Sequence, residues 1–477
     1  MRARYITTTL PYVNADPHIG FALEIIKADV LTRWYALAGD EVFFNTGTDE
    51  HGQKLWQEAV KRDMEPQAYV DEYAAKFRLL KEKLDLYPDL HFIRTTDPHH
   101  IKAAQEFWKR CVAKGDIYKK NYQIKYCVGC ELGKTDSELV DGRCPLHPKV
   151  ELEIIDEENY FFRLSSYQQQ LLDLYTAHPD FVVPAFRQSE IRSFVERGLQ
   201  DFSVSRLKHK MPWGITVPDD DEHVMYVWFD ALVNYVSTLG WPEDTISFEK
   251  FWGSFDKPNA LQIAGKDNLR QQTVMWQAML MSAGLPNSKQ VVIQGFVTSA
   301  GQKMSKSLGN VISPFDLVET YGTDAVRYIL LRHTSSFEDS DITLEAIRDH
   351  YTAHLTNGLG NLVARIMQLA ETHLSEPVIP LNTIALECAS MISAFQFNAA
   401  LDSVWSGIQT LDERITREKP FVLVKERPEQ GRALIAELAQ KLGDIGIALA
   451  PFMPSTSELI QKAVRENKKP ENLFPRL

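Results

Sequence analysis

The chain has 477 residues, 44% of them hydrophobic, so it can bury more than one sizeable core and we expect two or three domains. Its 52 basic and 64 acidic residues give a net charge of −12, which argues against indiscriminate nucleic-acid binding through a uniformly positive surface. The sequence has no signal-peptide pattern and no apolar run near the roughly 20 residues that span a bilayer, so we expect a cytoplasmic protein without membrane contact.

A βαβ unit is predicted at the N-terminus. Residues 5–10 are rich in β-branched side chains, and residues 42–44 form a second apolar run. Between these two strands, apolar residues recur at steps of three or four, as on the buried face of a helix. The residues of this face are Ile19, Leu23, Ile26, Val30 and Trp34.

Three later segments continue the pattern of an α/β protein. Residues 225–228, 260–264 and 291–293 are short apolar runs, each followed by a helical pattern or a polar loop. Together they predict a doubly wound parallel sheet of the Rossmann type, interrupted in the middle. In such sheets ligands bind beyond the carboxyl ends of the strands.

From about residue 348 the periodicity becomes helical throughout, which predicts an all-α helical bundle. Steps of three or four separate the apolar residues of two successive helices. These residues are Leu401, Val404, Ile408, Leu411 and Ile415, then Leu434, Leu438, Leu442, Ile445 and Leu449.

Four potential metal ligands are grouped between residues 127 and 147. Cys127 and Cys130 form C-x2-C, and Cys144 and His147 form C-x2-H, with 13 residues between the pairs. Two knuckles of this spacing supply the four ligands of a tetrahedral Zn²⁺, and a closed set of four protein ligands indicates one structural zinc. The alternative is a chance grouping of cytosolic thiols.

Two separate segments have the chemistry of phosphate binding. Residues 17–20, Pro-His-Ile-Gly, stand where the first helix begins, and a helix N-terminus offers free N–H groups to an anion. A histidine there is also common as a helix cap. Residues 303–307, Lys-Met-Ser-Lys-Ser, place two lysines beside hydroxyl groups, which favours closure on a polyphosphate over a merely solvated basic loop.

These two segments, in this order, resemble the signature motifs of the class I aminoacyl-tRNA synthetases. The second motif matches in full, whereas Phe21 replaces the usual second histidine of the first. Residues 10–12, 48–52, 226–231 and 265–267 are similar to the methionine branch of that family. The resemblance covers nearly the whole chain.

The resemblance implies activation of L-methionine with ATP·Mg²⁺ to methionyl-adenylate and its transfer to the terminal adenosine of tRNA(Met). It also implies a Rossmann-type catalytic domain with an inserted zinc-binding connective domain, followed by an α-helical anticodon-binding domain. The expected limits are 1–115 and 224–297 for the two catalytic halves, 116–223 for the insertion, 298–347 for the lysine-motif loop with the stem-contact region, and 348–477 for the helical domain.

Roles for individual residues follow from the same resemblance. Asp49 would hold the α-ammonium group of methionine, and an apolar, aromatic pocket would select its thioether by shape and sulfur–aromatic contact. Gln272 stands where many family members have a histidine, and its amide is expected to bond to the Tyr235 hydroxyl. The pocket residues would be Leu10, Tyr12, Trp228, Ala231, Tyr235, Gln272 and Trp276.

The ATP-binding residues are assigned in the same way. His18, Lys303 and Lys306 would stabilise the charge of the transition state. Asp267 would bind the ribose, and backbone groups of Gly295 and Phe296 would read the adenine. The complete set is Pro17, His18, Gly20, Gly265, Lys266, Asp267, Gly295, Phe296, Lys303 and Lys306.

In the helical domain, Phe421 follows Lys-Pro and resembles the family element that stacks on an anticodon base, with phenylalanine in place of the usual tryptophan. Because the sequence stops after the bundle, a monomer is expected. Two alternatives stay open. One is a cysteine-activating relative, which would need a cysteine on the first strand where Leu10 and Tyr12 stand. The other is a synthetase-like protein that binds tRNA without catalysis.

Overall fold

The structure is a computed structural model that describes residues 2–134, 136–304, 309–381 and 386–477. The chain forms two compact units. The first comprises Met1–Asp16, Gly39–Leu79 and Pro88–Ile293, and the second comprises Pro17–Ala38, Leu80–Tyr87 and Gln294–Leu477. Among the helices described, none has the length and apolar character needed to cross a membrane.

The described strands range from 2 to 11 residues in length. In chain order they are β1 Ala3–Thr8, β2 Glu41–Thr48, β3 His91–Arg94, β4 Ile117–Cys127, β5 Leu132–Lys134, β6 Glu153–Phe162, β7 Val182–Val183, β8 Phe202–Ser203, β9 Ser205–Leu207, β10 Thr216–Val217, β11 Asp220–Met225, β12 Ala260–Gly265, β13 Gln290–Gln294, β14 Val297–Ser299, β15 Gln302–Lys303 and β16 Ser340–Asp341.

The longest helices lie in the C-terminal part. In chain order the helices are α1 Ile19–Leu37, α2 Gln53–Lys61, α3 Pro66–Lys83, α4 Pro98–Ala113, α5 Gln168–Ala177, α6 Ala185–Glu196, α7 Val227–Leu232, α8 Asn234–Ser237, α9 Thr245–Trp252, α10 Trp276–Ala283, α11 Pro314–Tyr321, α12 Thr323–Arg332, α13 Leu344–His350, α14 Asn361–His373, α15 Leu386–Ser393, α16 Phe397–Glu418, α17 Pro420–Glu426, α18 Pro428–Leu449 and α19 Pro454–Glu466. Gln271–Met275 and Tyr351–Gly360 are π-helical.

The central sheet has the order β3-β2-β1-β12-β13-β7, and its neighbouring strands run parallel where their register is defined. Its strand order reverses beside β1, so the carboxyl ends of β1 and β12 border the position where doubly wound sheets bind ligands. Strand β1 becomes fully buried from its third residue onward, which explains its apolar and β-branched composition. The predicted Rossmann-type sheet is confirmed.

One predicted strand is wrong. Residues 225–228 do not join the central sheet: β11 ends at Met225 and pairs antiparallel with β9 and β10, and α7 begins at Val227. A short apolar run that is buried on all sides has the same pattern in a strand and in a helix, and here the tertiary packing selects the helix. Trp228 and Ala231 therefore lie on a helix rather than at a strand end.

The insertion between the sheet halves is antiparallel. Strands β4 and β6 form a long ribbon from Ile117 opposite Phe162 to Tyr126 opposite Glu153. One end of the ribbon joins the apolar core of the first unit, where Ile117 and Phe162 are buried. Because β4 ends at Cys127, its other end delivers the first predicted metal ligand.

The second unit contains the predicted helical bundle. The apolar residues predicted for two helices are buried in α16 and α18, which confirms the periodicity; the short helix α17 lies between them. A fully buried ion pair lies in this unit: Arg327 Nη2 donates to Asp29 Oδ2 at 2.7 Å. Three further guanidinium hydrogens bind the carbonyl oxygens of Leu84, Pro451 and Phe452, so four of the five N–H groups are hydrogen-bonded.

Candidate active site and metal-binding knuckle

Tyr12 and Asp49 are both predicted to bind the substrate methionine. The backbone beyond β1 and β2 brings them together. They form an isolated parallel bridge, in which Val13 N donates to Asp49 O at 3.3 Å and Asp49 N donates to Pro11 O at 3.0 Å. Leu10, half-buried, precedes this bridge directly. Parallel pairing therefore positions both side chains at the carboxyl edge of the sheet.

The carboxylate of Asp49 is buried with unsatisfied bonding capacity. Its residue is 7% exposed, and Oδ1 has no hydrogen-bond partner among the described residues. Burial raises the pKa of Asp49 well above its usual value, and the charges of Asp230, Glu131 and Glu50 raise it further. A buried anion in this state is poised to accept a cation, such as an α-ammonium group.

Two neighbouring carboxylates are fully paired, and sequence reasoning missed their partners. Arg94 donates to both oxygens of Glu50 at 2.7 and 2.8 Å. Asp230 lies between two histidines, at 2.6 Å from His51 Nδ1 and 2.8 Å from His100 Nε2. Burial opposes ionisation of Asp230, but the two histidines outweigh it and lower its pKa. Glu50 and Asp230 thus have partners on both carboxylate oxygens, whereas one oxygen of Asp49 has none among the described residues.

A further missed residue, Glu131, connects Tyr12 to the insertion. The Tyr12 hydroxyl donates to Glu131 Oε1 at 2.6 Å, and Lys54 N donates to the same oxygen at 3.1 Å. Glu131 is buried and adopts a left-handed backbone with φ of 52°. It directly follows Cys130, so the only signal in the sequence was an acidic residue adjoining the C-x2-C pair.

Aromatic side chains of α7, α8 and α10 pack in the apolar core of the first unit. The rings of Tyr235 and Trp276 are buried, and their centroids are 5.7 Å apart. The Tyr5 hydroxyl donates to the Tyr235 carbonyl at 2.8 Å and fixes α8 to the first strand. With Trp228 and Ala231 on α7, these side chains offer the apolar, polarisable surface that a thioether requires.

Gln272 lies in the π-helical turn that precedes α10. Its Oε1 accepts a hydrogen bond from Gln262 Nε2 on β12 at 3.1 Å. The amide is therefore anchored to the central sheet. The expected bond from Gln272 to the Tyr235 hydroxyl stays a prediction.

The predicted ribose-binding segment follows β12 at its carboxyl end. Gly265 ends the strand, and Lys266 begins a short 3₁₀ turn with Asp267. The Asp267 side chain is exposed rather than buried, so it is accessible to a ligand.

In the second unit, the two signature motifs meet at Gly20. His18 is the N-cap of α1, and its Nδ1 accepts from Gly20 N at 3.0 Å. A Cβ at Gly20 would lie only 2.8 Å from the His18 ring and 3.8 Å from the methyl carbon of Met304. A side chain at position 20 would therefore displace the His18 ring, and Pro17 directly precedes this capped start.

The predicted adenine segment is also tightly built. A Cβ at Gly295 would lie 2.2 Å from the carbonyl carbon of Glu338, so only glycine fits. The Phe296 N–H donates to Asp339 Oδ1 at 2.9 Å, so this N–H already has a partner. Strand β15 places the Lys303 backbone opposite Thr298. The predictions for the Lys303 side chain and for Lys306 lie outside the described residues.

The four predicted metal ligands converge in the first unit. The Cys130 sulfur is 3.4 Å from the Cys144 sulfur and 3.2 Å from His147 Nδ1, and the Cys127 sulfur is 3.8 Å from that nitrogen. All four ligand atoms lie within 4.8 Å of one another. Edges of about 3.3–3.8 Å are those of a tetrahedron with metal–nitrogen and metal–sulfur bonds of about 2.0–2.3 Å, so the group fits a tetrahedral metal ion.

Phe421 lies on α17, directly after Pro420 at the first position of that helix. Lys419 adopts a left-handed backbone with φ of 46° and turns the chain between α16 and α17. The Phe421 side chain is 47% exposed, so its ring is available for stacking.

Comparison with known proteins decides the family. The family model described as tRNA synthetases class I (M) matches residues 4–151 and 147–367. The chain belongs to this family. A methionine–tRNA ligase of Thermosynechococcus vestitus is 50% identical over 369 residues, covering 76% of the chain and 68% of the relative. A methionine–tRNA ligase of Thermotoga maritima is 38% identical over 488 residues, covering 98% of this chain and 76% of the relative.

Solved structures of the family agree over nearly the whole chain. Mycobacterium tuberculosis methionyl-tRNA synthetase in complex with methionyl-adenylate aligns with a TM-score of 0.88 at 36% identity, covering 97% of this chain and 93% of that one. Its apo form aligns with a TM-score of 0.82 at 31% identity. Membership of the methionine family removes the cysteine-activating alternative.

Proposed function

We propose that this member of the class I (M) family is a methionine–tRNA ligase, which activates L-methionine with ATP and esterifies the adenylate onto tRNA(Met). The observation that carries the proposal is the unpartnered Asp49 oxygen, buried beside Glu50 and Asp230, whose own carboxylates are fully paired. An α-ammonium group satisfies that oxygen, and the Tyr235–Trp276 pocket accepts the thioether.

The first step is in-line attack of the methionine carboxylate on the α-phosphorus of ATP, with pyrophosphate leaving together with Mg²⁺. This step needs no protein nucleophile, so the protein contributes position and charge. His18, Lys303 and Lys306 stabilise the phosphate charge, while Asp267 holds the ribose. When ATP binds, His18 exchanges its capping bond to Gly20 for a phosphate contact, which leaves the Gly20 N–H free for the anion.

The knuckle holds one structural Zn²⁺ on Cys127, Cys130, Cys144 and His147. Because all four ligands come from the protein, no position stays open for a substrate. The zinc fixes the turn that carries Glu131 and hence the Tyr12 hydroxyl. Metal analysis of the purified chain checks this assignment, with one equivalent expected and its loss in Cys144→Ser.

The reaction is tested by exchange of labelled pyrophosphate into ATP, with methionine, cysteine, leucine or no amino acid. Methionine alone supports exchange, because only its side chain fits the aromatic pocket. Absence of exchange, with tRNA binding retained, would establish instead the non-catalytic reading that Phe21, Gln272 and Phe421 keep open.

The exposed ring of Phe421 stacks on a base of the tRNA(Met) anticodon. Removing the ring in Phe421→Ala should weaken tRNA binding by about 1–3 kcal/mol, and tRNA charging should fall accordingly. Methionine-dependent pyrophosphate exchange should be unchanged. Phe255→Ala is the matched control, since Phe255 is also exposed but lies in the first unit. Equal tRNA charging by both variants would show that Phe421 does not contact the tRNA.

A monomeric state and a cytoplasmic location stay predictions. Light scattering measures the first.

A further inference from the structure

Three histidines of the second unit form a cluster that no step of methionine activation uses. His333 caps the C-terminal end of α12, and His350 is the last residue of α13. His354 follows four residues later in the π-helical segment Tyr351–Gly360. Two histidines four residues apart on one helix face are a recurrent metal-binding arrangement, and π-helical turns are frequent at functional sites.

The nitrogens of the cluster are close enough to share one ion. His333 Nε2 is 3.2 Å from His354 Nδ1, and each of the three residues offers a nitrogen within 4.8 Å of the others. In a tetrahedral site with bonds of about 2.0–2.1 Å, two ligand nitrogens lie about 3.3 Å apart. The 3.2 Å contact already has this separation. All three side chains are half-buried, so the cluster is accessible from solvent.

We propose that His333, His350 and His354 form a second metal site, which binds a divalent transition ion of the Zn²⁺, Ni²⁺, Co²⁺ or Cu²⁺ class through three imidazole nitrogens. On binding, the proton of the bond between His333 Nε2 and His354 Nδ1 moves to the other nitrogen of the donor ring, so that both of these nitrogens present a lone pair to the ion. His333 and His350 stack with ring centroids 3.6 Å apart, and one ring turns about its χ2 to direct its nitrogen to the ion.

The surroundings favour neutral imidazoles, which are the form that binds metal. Burial, followed by the charges of His350, Arg332 and His354, lowers the pKa of His333 to about 3. Burial followed by Arg332 likewise lowers the pKa of His350 and of His354. At neutral pH each ring thus offers a lone pair without first losing a proton to solvent.

The positive charge of Arg332, which lies beside the cluster, is compensated by its own partners. Arg332 Nε binds Asp402 Oδ1 at 2.7 Å, and Arg332 Nη1 donates to the Tyr328 hydroxyl at 2.6 Å. That hydroxyl lies 3.3 Å from His333 Nε2, and Tyr328 stacks on Trp405 with centroids 4.2 Å apart. This fixed shell holds His333 in place, as outer-shell residues do at metal sites.

The test is a nickel titration of the tag-free full chain by calorimetry, after zinc has filled the cysteine knuckle. One additional Ni²⁺ per chain is expected, with a heat that does not depend on the buffer at neutral pH, because the imidazoles bind in their neutral form. His354→Gln and His333→Gln should each weaken binding by more than about tenfold, since loss of even an outer-shell partner costs 10- to 100-fold. His373→Gln, at the end of α14, is the matched control and should bind like the parent.

Cobalt identifies where the ion sits. At the histidine cluster, bound Co²⁺ gives an absorption spectrum without a sulfur-to-metal charge-transfer band, and Cys144→Ser leaves it unchanged. Nickel affinity that is the same in His354→Gln, His333→Gln and the parent would overturn the proposal, as would a cobalt signal that disappears only in Cys144→Ser. Circular dichroism checks the fold, and His350→Gln provides a third variant should one of the others not fold. Since no readout depends on adenylation, failure here leaves the proposed ligase function untouched.

Discussion

Two buried carboxylates, one in each unit, show opposite uses of a charge removed from water. Asp29 in the second unit accepts from Arg327 and Arg33, at 2.7 and 2.8 Å, and from Tyr87 N at 2.6 Å. Asp49 in the first unit leaves an oxygen without a partner among the described residues. A saturated buried charge supports the fold, whereas an unsaturated one is destabilising until a ligand completes it. Mutations that disrupt the contacts of Asp29 should therefore lower stability, whereas mutations of Asp49 should lower activity.

The largest effect is expected from Arg327→Met. Removing the guanidinium leaves Asp29 and three carbonyl groups with fewer donors, and breaking a buried pair costs about 3–5 kcal/mol of unfolding free energy. Urea unfolding measures it. Arg348→Met is the matched control, because Arg348 is 64% exposed and pairs with Asp349 only at 3.7 Å, so its change should stay below about 1 kcal/mol. Equal unfolding free energies of the two variants would show that the buried Asp29–Arg327 pair does not stabilise the fold.

Asp49→Asn should act on activity instead. Loss of the charge that pairs with the α-ammonium group weakens transition-state binding by about 2–5 kcal/mol in kcat/KM for methionine. The unfolding free energy should not fall, because the substitution removes a buried charge without a counter-charge. Asp173→Asn, on the exposed face of α5, controls for surface effects. A variant that lost stability while keeping kcat/KM would assign Asp49 to the fold.

Glu131→Gln sharpens the comparison, since Glu131 supports Tyr12 without having a ligand-binding role of its own. The amide still accepts from the Tyr12 hydroxyl, but a neutral acceptor is weaker than a charged one by about 1 kcal/mol. We expect a rise in the KM for methionine with little change in the KM for ATP. Combining it with Tyr12→Phe should give less than the sum of the two single effects.

Zinc content must be measured on the Glu131→Gln protein, because Glu131 adjoins Cys130. Glu151→Gln, exposed in the same insertion, is the matched control. Additive effects in the double variant, or a zinc deficit that accounts for the whole rise in KM, would show that the Tyr12–Glu131 bond contributes nothing specific.

At neutral pH, the smallest expected change comes from protonation of Asp49, which affects both stability and methionine affinity. Burial raises its pKa in the folded state above 3.8, so the proton on Asp49 stabilises the fold fully below the unfolded pKa, and this contribution is lost as pH rises through the folded pKa. Methionine needs the ionised form, so its affinity should fall by about tenfold per pH unit below the folded pKa. Calorimetry at several pH values measures this, with Asp49→Asn expected to show no such dependence.

The sequence by itself determined the features that depend on near neighbours. The C-x2-C and C-x2-H spacings identified all four knuckle ligands, because each pair lies within one turn of chain. Periodicity predicted the buried faces of α16 and α18, since one helix turn sets it. The signature motifs identified the family, and a capped helix start with a glycine is a local arrangement at His18 and Gly20.

Only the tertiary structure decided which side chains complete one another across the chain. Tyr12 and Glu131 are 119 residues apart, and His51 and Asp230 are 179 apart, yet each pair shares a short hydrogen bond. Whether residues 225–228 form a strand or the start of a helix was likewise decided by packing, because buried apolar runs look alike in sequence. Burial and partner number set the charge state of Asp49, and both arise from contacts that no local pattern encodes.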